Sequence, residues 1–244
     1  MKKIVSSLLL ASSFLLANGE YVTYNVDGKD YQGYYSSPSK DAPLVFMIHD
    51  WDGIDKYEIK RTEMLNQMGY AVFAADMFGK GVVADTIEKR KALTGALYKD
   101  REKMRTLIQG GFEEAKKLGA NTNNAVGLGY CFGGTVILEM ARSGAELKKF
   151  VPFHGGLTTP EGQDYSKVKG EIVVFHGTAD KAVSMDDFAD IAKRMEAQKV
   201  THEMLTYSGA PHAFTKFGSD RYHERADKAS WKRFSEILDE TLKN

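Results

Sequence analysis

The ten residues Ala125-Val126-Gly127-Leu128-Gly129-Tyr130-Cys131-Phe132-Gly133-Gly134 decide the fold of this chain. They begin as a short apolar run, typical of a buried strand, and an apolar helical pattern follows from Thr135 onward. The glycines around Cys131 therefore mark a sharp turn from strand into helix. The pattern G-x-C-x-G has the form of a nucleophile elbow, in which small neighbours of the nucleophile avoid collisions. A structural cysteine buried in a glycine-rich turn would give the same short pattern. Whether an acid and a histidine accompany Cys131 must therefore decide between the two interpretations.

Two later positions could supply the acid and the base that activate a thiol. Asp180 follows an apolar run, in His176-Gly177-Thr178-Ala179-Asp180, and His212 follows the last one, in Pro211-His212-Ala213-Phe214. The order nucleophile, acid, histidine is the order found with this type of elbow. The sequence therefore predicts a catalytic triad of Cys131, Asp180 and His212. The competing interpretations are a helix-capping aspartate and a solvated loop histidine.

Apolar runs alternate with helical segments along most of the chain. Helical periodicity is found over 86–118, near 188–195 and near 231–238. Runs that are apolar throughout and separated by helices favour a mostly parallel sheet covered on both faces, a three-layer α/β/α sandwich. The segment 21–35 alternates around Asp27-Gly28 and predicts an antiparallel hairpin at the sheet edge. The other predicted strands are 44–48, 70–75, 125–130, 150–153, 171–175 and 203–207.

The first nineteen residues have the layout of a secretory signal peptide. Lys2 and Lys3 precede an apolar run over 4–16, and Ala17-Asn18-Gly19 offers small residues where a signal peptidase cleaves. The apolar run is too short for a permanent membrane span. We therefore predict a signal peptide over 1–19, a single domain over 20–244 and a periplasmic or secreted protein. A buried N-terminal helix or a retained anchor is the alternative interpretation.

Charge and cysteine content restrict the classes of partner. The chain has 33 basic and 33 acidic residues, with no basic stripe that suggests nucleic acid and no basic amphipathic segment that suggests a membrane surface. Cys131 is the only cysteine, which excludes an intramolecular disulfide. No pair of histidines has the spacing of a metal site, so we expect no metal. A monomer with a buried site for a small molecule is the expectation.

The other histidines are weaker candidates for catalysis. His49 and His176 end apolar runs, and we interpret them as packing or hydrogen-bonding residues. His154 heads a glycine-rich loop that could lie near the pocket, but a structural role is favoured. His202 and His223 have the surroundings of surface residues.

Three parts of the sequence together make the chain resemble the dienelactone hydrolase family. They are His49-Asp50-Trp51-Asp52-Gly53-Ile54, the elbow at 129–134, and the acid and histidine segments at 176–180 and 211–214. Segment 75–81 is also similar to the family's pattern. The resemblance implies an α/β-hydrolase fold that needs no cofactor. It also implies that a Cys–His–Asp triad cleaves a small ester or lactone, such as dienelactone, through a thioacyl-enzyme intermediate.

The resemblance further implies roles for residues near the triad. The backbone N–H groups of Phe132 and Trp51 would form the oxyanion hole. Asp50 stands where the family usually has a glutamate that pairs with the resting thiol, and it is one methylene shorter. Lys216 stands where dienelactone hydrolases have an arginine that binds the substrate carboxylate, and it lacks the bidentate fork. The alternative interpretations are a turn acid and a surface lysine.

Three functions stay open on the sequence alone. The first is a thiol-dependent hydrolase of esters, lactones or thioesters, and the second is a short-chain carboxylesterase or thioesterase unrelated to dienelactone. The third is a non-enzymatic protein that uses a hydrolase fold to hold a small ligand. An oxidoreductase is disfavoured because there is no C-x-x-C motif and no second cysteine. Residues 80–105, which are charged and lie between strands, are a candidate lid.

Overall fold

The computed structural model describes residues 19–243, which begin with an antiparallel hairpin. Strands β1 (Glu20–Val26) and β2 (Lys29–Ser36) pair around Asp27 and Gly28, which confirms the predicted hairpin. Both turn residues have positive φ, +49° and +79°, a conformation that aspartate and glycine tolerate better than most residues. Apart from Gly19, the predicted signal peptide lies outside the described residues.

The sheet of the described chain has eight strands. After the hairpin come β3 (Pro43–Ile48), β4 (Ala71–Ala75), β5 (Asn121–Tyr130), β6 (Lys149–Phe153), β7 (Glu171–Gly177) and β8 (His202–Tyr207). The strand order is β1-β2-β4-β3-β5-β6-β7-β8. Strands β3 to β8 are mutually parallel, and β2 joins them through an antiparallel pairing with β4. The mostly parallel sheet predicted from the sequence is confirmed.

Helices cover both faces of this sheet and complete the three predicted layers. They are α1 (Lys56–Gln67), α2 (Ile87–Lys99), α3 (Arg101–Lys117), α4 (Phe132–Arg142), α5 (Met185–Ala197) and α6 (Glu224–Leu242). Helices α1 and α6 pack on one face, and α2 to α5 pack on the other. Within residues 19–243, no helix combines the length and the apolarity needed to cross a bilayer.

Strand β3 shows why the central strands read as continuous apolar runs. Its side chains alternate between two cores: Leu44, Phe46 and Ile48 face α2 to α5, whereas Val45 and Met47 face α1 and α6. All five side chains are fully buried. A strand that is buried on both faces must be apolar at every position, which is the signal that the sequence carries.

Helix α1 is absent from the helices that the hydrophobic pattern predicts. Four of its buried residues are polar or charged: Glu58, Arg61, Thr62 and Asn66. Hydrogen bonds of Glu58, Arg61 and Asn66 compensate for the burial of these three side chains, but no apolar stripe results that a 3.6-residue period could reveal. The helix is instead marked by its capping box, in which Asp55 and Glu58 bond each other's backbone N–H groups.

The carboxyl ends of the parallel strands lie at one edge of the sheet and bring the predicted site residues together. Asp50 and Trp51 follow β3, Cys131 follows β5, and Asp180 and His212 come after β7 and β8. This edge is where ligands bind in open α/β sheets.

Candidate active site

Cys131 lies at the turn between β5 and α4 in a strained backbone conformation. Its φ of +51° and ψ of −111° are rare for a residue that carries a side chain. Both neighbouring glycines are required by close backbone approaches. A Cβ on Gly129 would lie 2.1 Å from the carbonyl oxygen of Gly133, and a Cβ on Gly133 would lie 2.3 Å from that of Ile48. The geometry therefore explains the G-x-C-x-G sequence.

The side chains of Cys131, His212 and Asp180 form a continuous chain of contacts. Nε2 of His212 lies 3.1 Å from Sγ of Cys131, and Nδ1 lies 2.8 Å from Oδ2 of Asp180. The ionised carboxylate can only accept, so Nδ1 carries a proton and Nε2 of the neutral imidazole can take the thiol proton. His212 is 81 residues from Cys131 and 32 from Asp180 in the sequence. The structure thus brings together the three side chains that the sequence predicts.

Asp180 is held by more than its contact with His212. Its Oδ1 accepts hydrogen bonds from the backbone N–H groups of Ala182 at 2.8 Å and Val183 at 2.9 Å. Burial raises the pKa of Asp180, but the hydrogen bonds from His212 and from the backbone outweigh that effect and hold the pKa below its ordinary value. The carboxylate is therefore ionised and fixed beside the imidazole at neutral pH.

The thiol of Cys131 is neutral in this arrangement. Burial and the nearby carboxyl of Asp50 raise the pKa of Cys131 well above its ordinary value. The N–H of Phe132 and the guanidinium of Arg221 act in the opposite direction but do not compensate. Formation of a thiolate at Cys131 would therefore require a change in the surroundings of Sγ.

Asp50 lies against the thiol despite its shorter side chain. Its carboxyl is hydrogen-bonded to Cys131 and also accepts the backbone N–H of Trp51. The backbone N–H of Asp50 donates to Glu58 Oε1 at 3.2 Å, which ties the loop after β3 to α1. Burial raises the pKa of Asp50, and the neighbouring Lys216 only partly offsets this. The carboxyl of Asp50 thus accepts the hydrogen bond of the Trp51 N–H, which was predicted as one of the two donors of an oxyanion hole.

Lys216 is surrounded by carboxylates rather than facing the open pocket. Its Nζ lies 2.9 and 2.7 Å from the two carboxylate oxygens of Asp52, 3.4 Å from Asp55 and 3.6 Å from Asp50. Burial lowers the pKa of Lys216, but the surrounding carboxylates raise it above its ordinary value. The ammonium of Lys216 therefore joins the loop that carries His212 to the loop after β3. The sequence analysis had predicted that Lys216 contacts the substrate carboxylate.

A cavity of about 520 Å³ opens above Cys131 and His212. Its walls are mainly aromatic and aliphatic, with contributions from Trp51, Phe132 and Val183. Three further lining residues were not predicted from the sequence: Tyr98, Arg101 and Arg221. Tyr98 and Arg101 lie in the segment that was a candidate lid. Arg221 belongs to the loop between β8 and α6, which carries no motif that would reveal it.

The two arginines of the cavity differ in how far they are engaged. Arg101 lies 3.5 Å from the buried carboxylate of Glu139, and its Nε donates to the Tyr98 carbonyl at 3.0 Å. Arg221 is exposed, and its guanidinium acts electrostatically on Cys131. Together they place positive charge at the rim of a largely apolar cavity.

Four further histidines pack in the fold or form hydrogen bonds outside the triad. His49 is fully buried, and its Nε2 accepts the N–H of Met77 at 3.1 Å. His176 is buried against the ring of Phe188, and His223 caps the N-terminus of α6. His202 lies on β8 with Nδ1 2.8 Å from the Val200 carbonyl oxygen. Over residues 19–243, no group of three His, Cys, Asp or Glu side chains could hold a metal ion.

Comparison with known proteins assigns this architecture to a family. The model of the dienelactone hydrolase family matches residues 31–242, nearly the whole described chain. A putative carboxymethylenebutenolidase of Aquifex aeolicus is 27% identical over 202 residues, which is 80% of this chain and 87% of that protein. A probable 2-oxo-3-(5-oxofuran-2-ylidene)propanoate lactonase of a Bradyrhizobium species is 29% identical over 236 residues, covering 87% of this chain and 90% of its own.

A solved structure gives the same answer. The crystal structure of a dienelactone hydrolase-like promiscuous phosphotriesterase from metagenomic libraries superimposes with a TM-score of 0.86 and 26% identity. It covers 93% of this chain and 99% of its own. The family match and the relatives support a carboxylic ester hydrolase. This chain belongs to the dienelactone hydrolase family of the α/β-hydrolase superfamily.

Proposed function

We propose that the chain hydrolyses a small ester or lactone by covalent catalysis. Cys131 is the nucleophile, His212 is the general acid and base, and Asp180 orients the imidazole. The observation that carries this proposal is the unbroken contact from Sγ through both imidazole nitrogens to the carboxylate, with the first step at 3.1 Å and the second at 2.8 Å. These distances are within hydrogen-bond reach for a thiol and a carboxylate.

The first half of the reaction forms a thioacyl-enzyme. His212 Nε2 takes the proton from Sγ as the sulfur attacks the acyl carbon, and Asp180 stabilises the imidazolium that forms. The C–S bond forms while the carbonyl π pair moves onto oxygen. When that pair returns, the C–O bond breaks, and Nε2–H gives its proton to the leaving alkoxide. In a lactone, the alcohol produced stays attached to the acyl group.

The second half releases the acid. A water molecule attacks the thioacyl carbon while His212 Nε2 takes one of its protons, and collapse of the second tetrahedral intermediate expels Sγ. The proton on Nε2 returns to the sulfur, so that the resting enzyme is restored with a neutral thiol. No other reactant is needed, and the products are a carboxylic acid and an alcohol.

The oxyanion of both intermediates is assigned to the backbone N–H groups of Phe132 and Trp51. Phe132 is the first residue of α4, so the helix dipole adds to its N–H. The Trp51 N–H is bonded to Asp50 in the resting site, so the Asp50 carboxyl must leave this amide when substrate binds. One such donor typically contributes on the order of 3 kcal/mol to transition-state stabilisation.

Short aryl esters are the second candidate substrate, beside dienelactone. The aromatic and aliphatic walls of the cavity, from Trp51, Phe132 and Tyr98, suit a flat apolar acyl or aryl group. Lys216, which takes the place of the family's arginine, is already engaged by Asp52, Asp55 and Asp50. Hydrolysis of a short aryl ester therefore needs no contact that this site lacks.

A pair of assays tests the proposal. The purified protein is assayed with dienelactone and with 4-nitrophenyl acetate, beside Cys131→Ala and His212→Asn. We expect the wild type to turn over at least one substrate and each variant to lose on the order of 10⁴-fold in kcat or more. Intact-mass analysis of the wild type after rapid acid quenching should show the added acyl mass on Cys131.

Two outcomes would contradict the proposal. If Cys131→Ala retained the wild-type rate, the thiol would not be the nucleophile. If wild type and variants were equally inactive on both substrates, the proposed ester and lactone substrates would be wrong. The relative kcat/KM for the two substrates decides between dienelactone and short aryl esters.

A further inference from the structure

His154 occupies a backbone conformation that its surroundings must enforce. It follows β6 directly, its φ is +40°, and its side chain is 1% exposed. A residue with a side chain adopts such a conformation only where neighbouring contacts hold it there. One of these contacts is its own N–H, which donates to the carbonyl of Phe175 on β7 at 2.8 Å.

The ring of His154 contacts the backbone of the nucleophile. The N–H of Cys131 donates both to the Phe153 carbonyl at 3.0 Å and to Nδ1 of His154 at 3.2 Å. Because Nδ1 accepts this hydrogen bond, it carries no proton. A neutral imidazole must then carry its proton on Nε2. The tautomer of His154 is thus fixed by the elbow.

The other ring nitrogen of His154 contacts the loop that carries the catalytic histidine. Nε2 lies 2.8 Å from Oγ1 of Thr215, three residues after His212. Thr215 is itself held from α1: its Oγ1 lies 2.7 Å from the Tyr57 hydroxyl, and its carbonyl accepts from Arg61 Nη2 at 3.1 Å. His154 therefore joins two separate loops, the elbow at Cys131 and the histidine loop.

We propose that His154 is a positioning residue that sets the distance between Cys131 Sγ and His212 Nε2, by accepting the Cys131 N–H at Nδ1 and donating to Thr215 from Nε2. The inference rests on the proposed roles of Cys131 and His212. It assigns to His154 no proton transfer and no substrate contact. Its effect is on the fraction of time in which Cys131 Sγ and His212 Nε2 lie 3.1 Å apart, within reach for proton transfer.

The surroundings of His154 favour the neutral ring. Burial lowers the pKa of His154 well below its ordinary value, and His212 and Arg61 add to this. The ring of His212 lies 5.5 Å away and that of Tyr130 lies 5.9 Å away, centroid to centroid. His176 on β7 disfavours protonation as well, and Tyr57 on α1 is reached through Thr215.

Two variants separate positioning from mere packing. His154→Phe keeps a ring between Tyr130 and Phe214 but removes both hydrogen bonds. Thr215→Val keeps the shape at 215 and removes only the acceptor for Nε2. We expect kcat on the ester substrate to fall by about 10- to 100-fold in His154→Phe and by about tenfold in Thr215→Val, with KM within about twofold of wild type. His202→Phe, on β8 and away from the site, should keep wild-type kcat.

A spectroscopic measurement tests the arrangement without any substrate. In protein labelled with ¹⁵N-histidine, the signals lost in His154→Phe identify residue 154. We expect an unprotonated Nδ1 and a protonated Nε2 that persist as the pH is lowered through the ordinary histidine range. In Thr215→Val, the Nε2–H proton should exchange faster with water.

The outcomes distinguish this inference from the proposed function. A protonated Nδ1, or a ring that titrates as an ordinary histidine does, would overturn the assigned contacts. A folded His154→Phe with wild-type kcat would overturn the positioning role, and if that variant does not fold, wild-type kcat in Thr215→Val would do so. Retained activity in Cys131→Ala would instead show that Cys131 is not the nucleophile, and it would not affect the tautomer assigned to His154.

Discussion

At the scale of single residues, the charge state of Cys131 depends on two neighbours with opposite effects. Burial raises the pKa of the thiol most, the Asp50 carboxyl raises it further through its charge and its hydrogen bond, and the Phe132 N–H and the Arg221 guanidinium lower it. Both groups line the cavity with Cys131. The raised pKa keeps the thiol neutral at pH 7, and a neutral thiol is a poor target for electrophiles and oxidants.

Asp50→Asn and Arg221→Gln should therefore change thiol reactivity in opposite directions. Removing the Asp50 charge lowers the pKa of Cys131, so the thiolate fraction at pH 7 rises and alkylation by iodoacetamide becomes severalfold faster. Removing the Arg221 charge raises the pKa, and alkylation at pH 7 becomes severalfold slower. In all three proteins the rate should increase with pH, and the increase should begin at the lowest pH in Asp50→Asn.

The measurement is the alkylation rate between pH 6 and pH 10, followed by intact mass, with Cys131→Ala as the unreactive control. Equal rates at pH 7 in wild type and both variants would mean that neither residue controls the thiol.

The sequence predicts that Cys131, Asp180 and His212 lie together because their order along the chain and their positions after apolar runs are local signals, and the structure brings the three side chains into contact. Asp180 and His212 each follow a strand, so the parallel sheet delivers them to one edge. Arg221 carries no such signal, because its place at the cavity depends on the path of the loop after β8. The engagement of Lys216 by three carboxylates was equally hidden, since Asp52 and Asp55 belong to another loop.

At the scale of elements, the elbow depends on the contact of α4 with the end of β3. A Cβ on Gly133 would lie 2.3 Å from the Ile48 oxygen and 2.7 Å from the His49 oxygen. These are backbone atoms at the end of a central strand and in the residue directly after it, and they cannot move away without a large cost. We expect Gly133→Ala to lower the free energy of unfolding by at least about 3 kcal/mol, measured by urea denaturation.

Gly95 provides the matched control, because a Cβ there meets no atom within 4 Å. Gly95→Ala lies inside α2 and should stabilise the protein by about 0.5–1 kcal/mol through helix propensity. A Gly133→Ala protein as stable as the wild type would show that the elbow tolerates a wider turn than this geometry allows.

Helices α1 and α6 are joined by a buried ion pair between Arg61 and Asp227. The two residues are only 1% and 4% exposed, and the Tyr222 hydroxyl also donates to Asp227 at 3.2 Å. Asp227→Asn would leave the guanidinium buried without its counter-charge. We expect a loss of about 3–5 kcal/mol in the free energy of unfolding, measured by urea denaturation.

The exposed pair of Lys60 and Glu63 serves as the comparison for that loss. Its side chains are 55% and 53% exposed, so Glu63→Gln should change stability by less than about 0.5 kcal/mol. Similar losses in Asp227→Asn and Glu63→Gln would mean that the buried pair contributes no more than a surface pair. The buried pair also explains why the hydrophobic pattern misses α1, since that helix packs with polar residues as well as apolar ones.

At the scale of the whole molecule, each of the two hydrophobic cores supports a different part of the candidate active site. The core under α1 and α6 contains the polar network of Arg61, Tyr57 and Thr215 that reaches His154. The core under α2 to α5 supports the cavity walls through Phe132 and Val183. Alternation of apolar runs and helices predicts both layers, because each strand must be apolar on two faces. It carries no information about which loops meet above the sheet.

We propose that residues 1–19 direct export and are then removed. Strand β1 begins at Glu20, so cleavage after Gly19 leaves every strand and helix of the described chain intact. The chain has a single cysteine, so it forms no intramolecular disulfide and its folding does not depend on an oxidising or a reducing compartment.

The test is to express the full chain in a Gram-negative host and to sequence the N-terminus of the protein in the periplasmic fraction. If residues 1–19 are removed on export, this sequence should begin at Glu20. Leu9→Arg with Leu10→Arg interrupts the apolar run and should hold the uncleaved chain in the cytoplasm. Uncleaved wild-type protein found only in the cytoplasm would contradict export, and the substrate of the enzyme would then have to be a cytoplasmic compound.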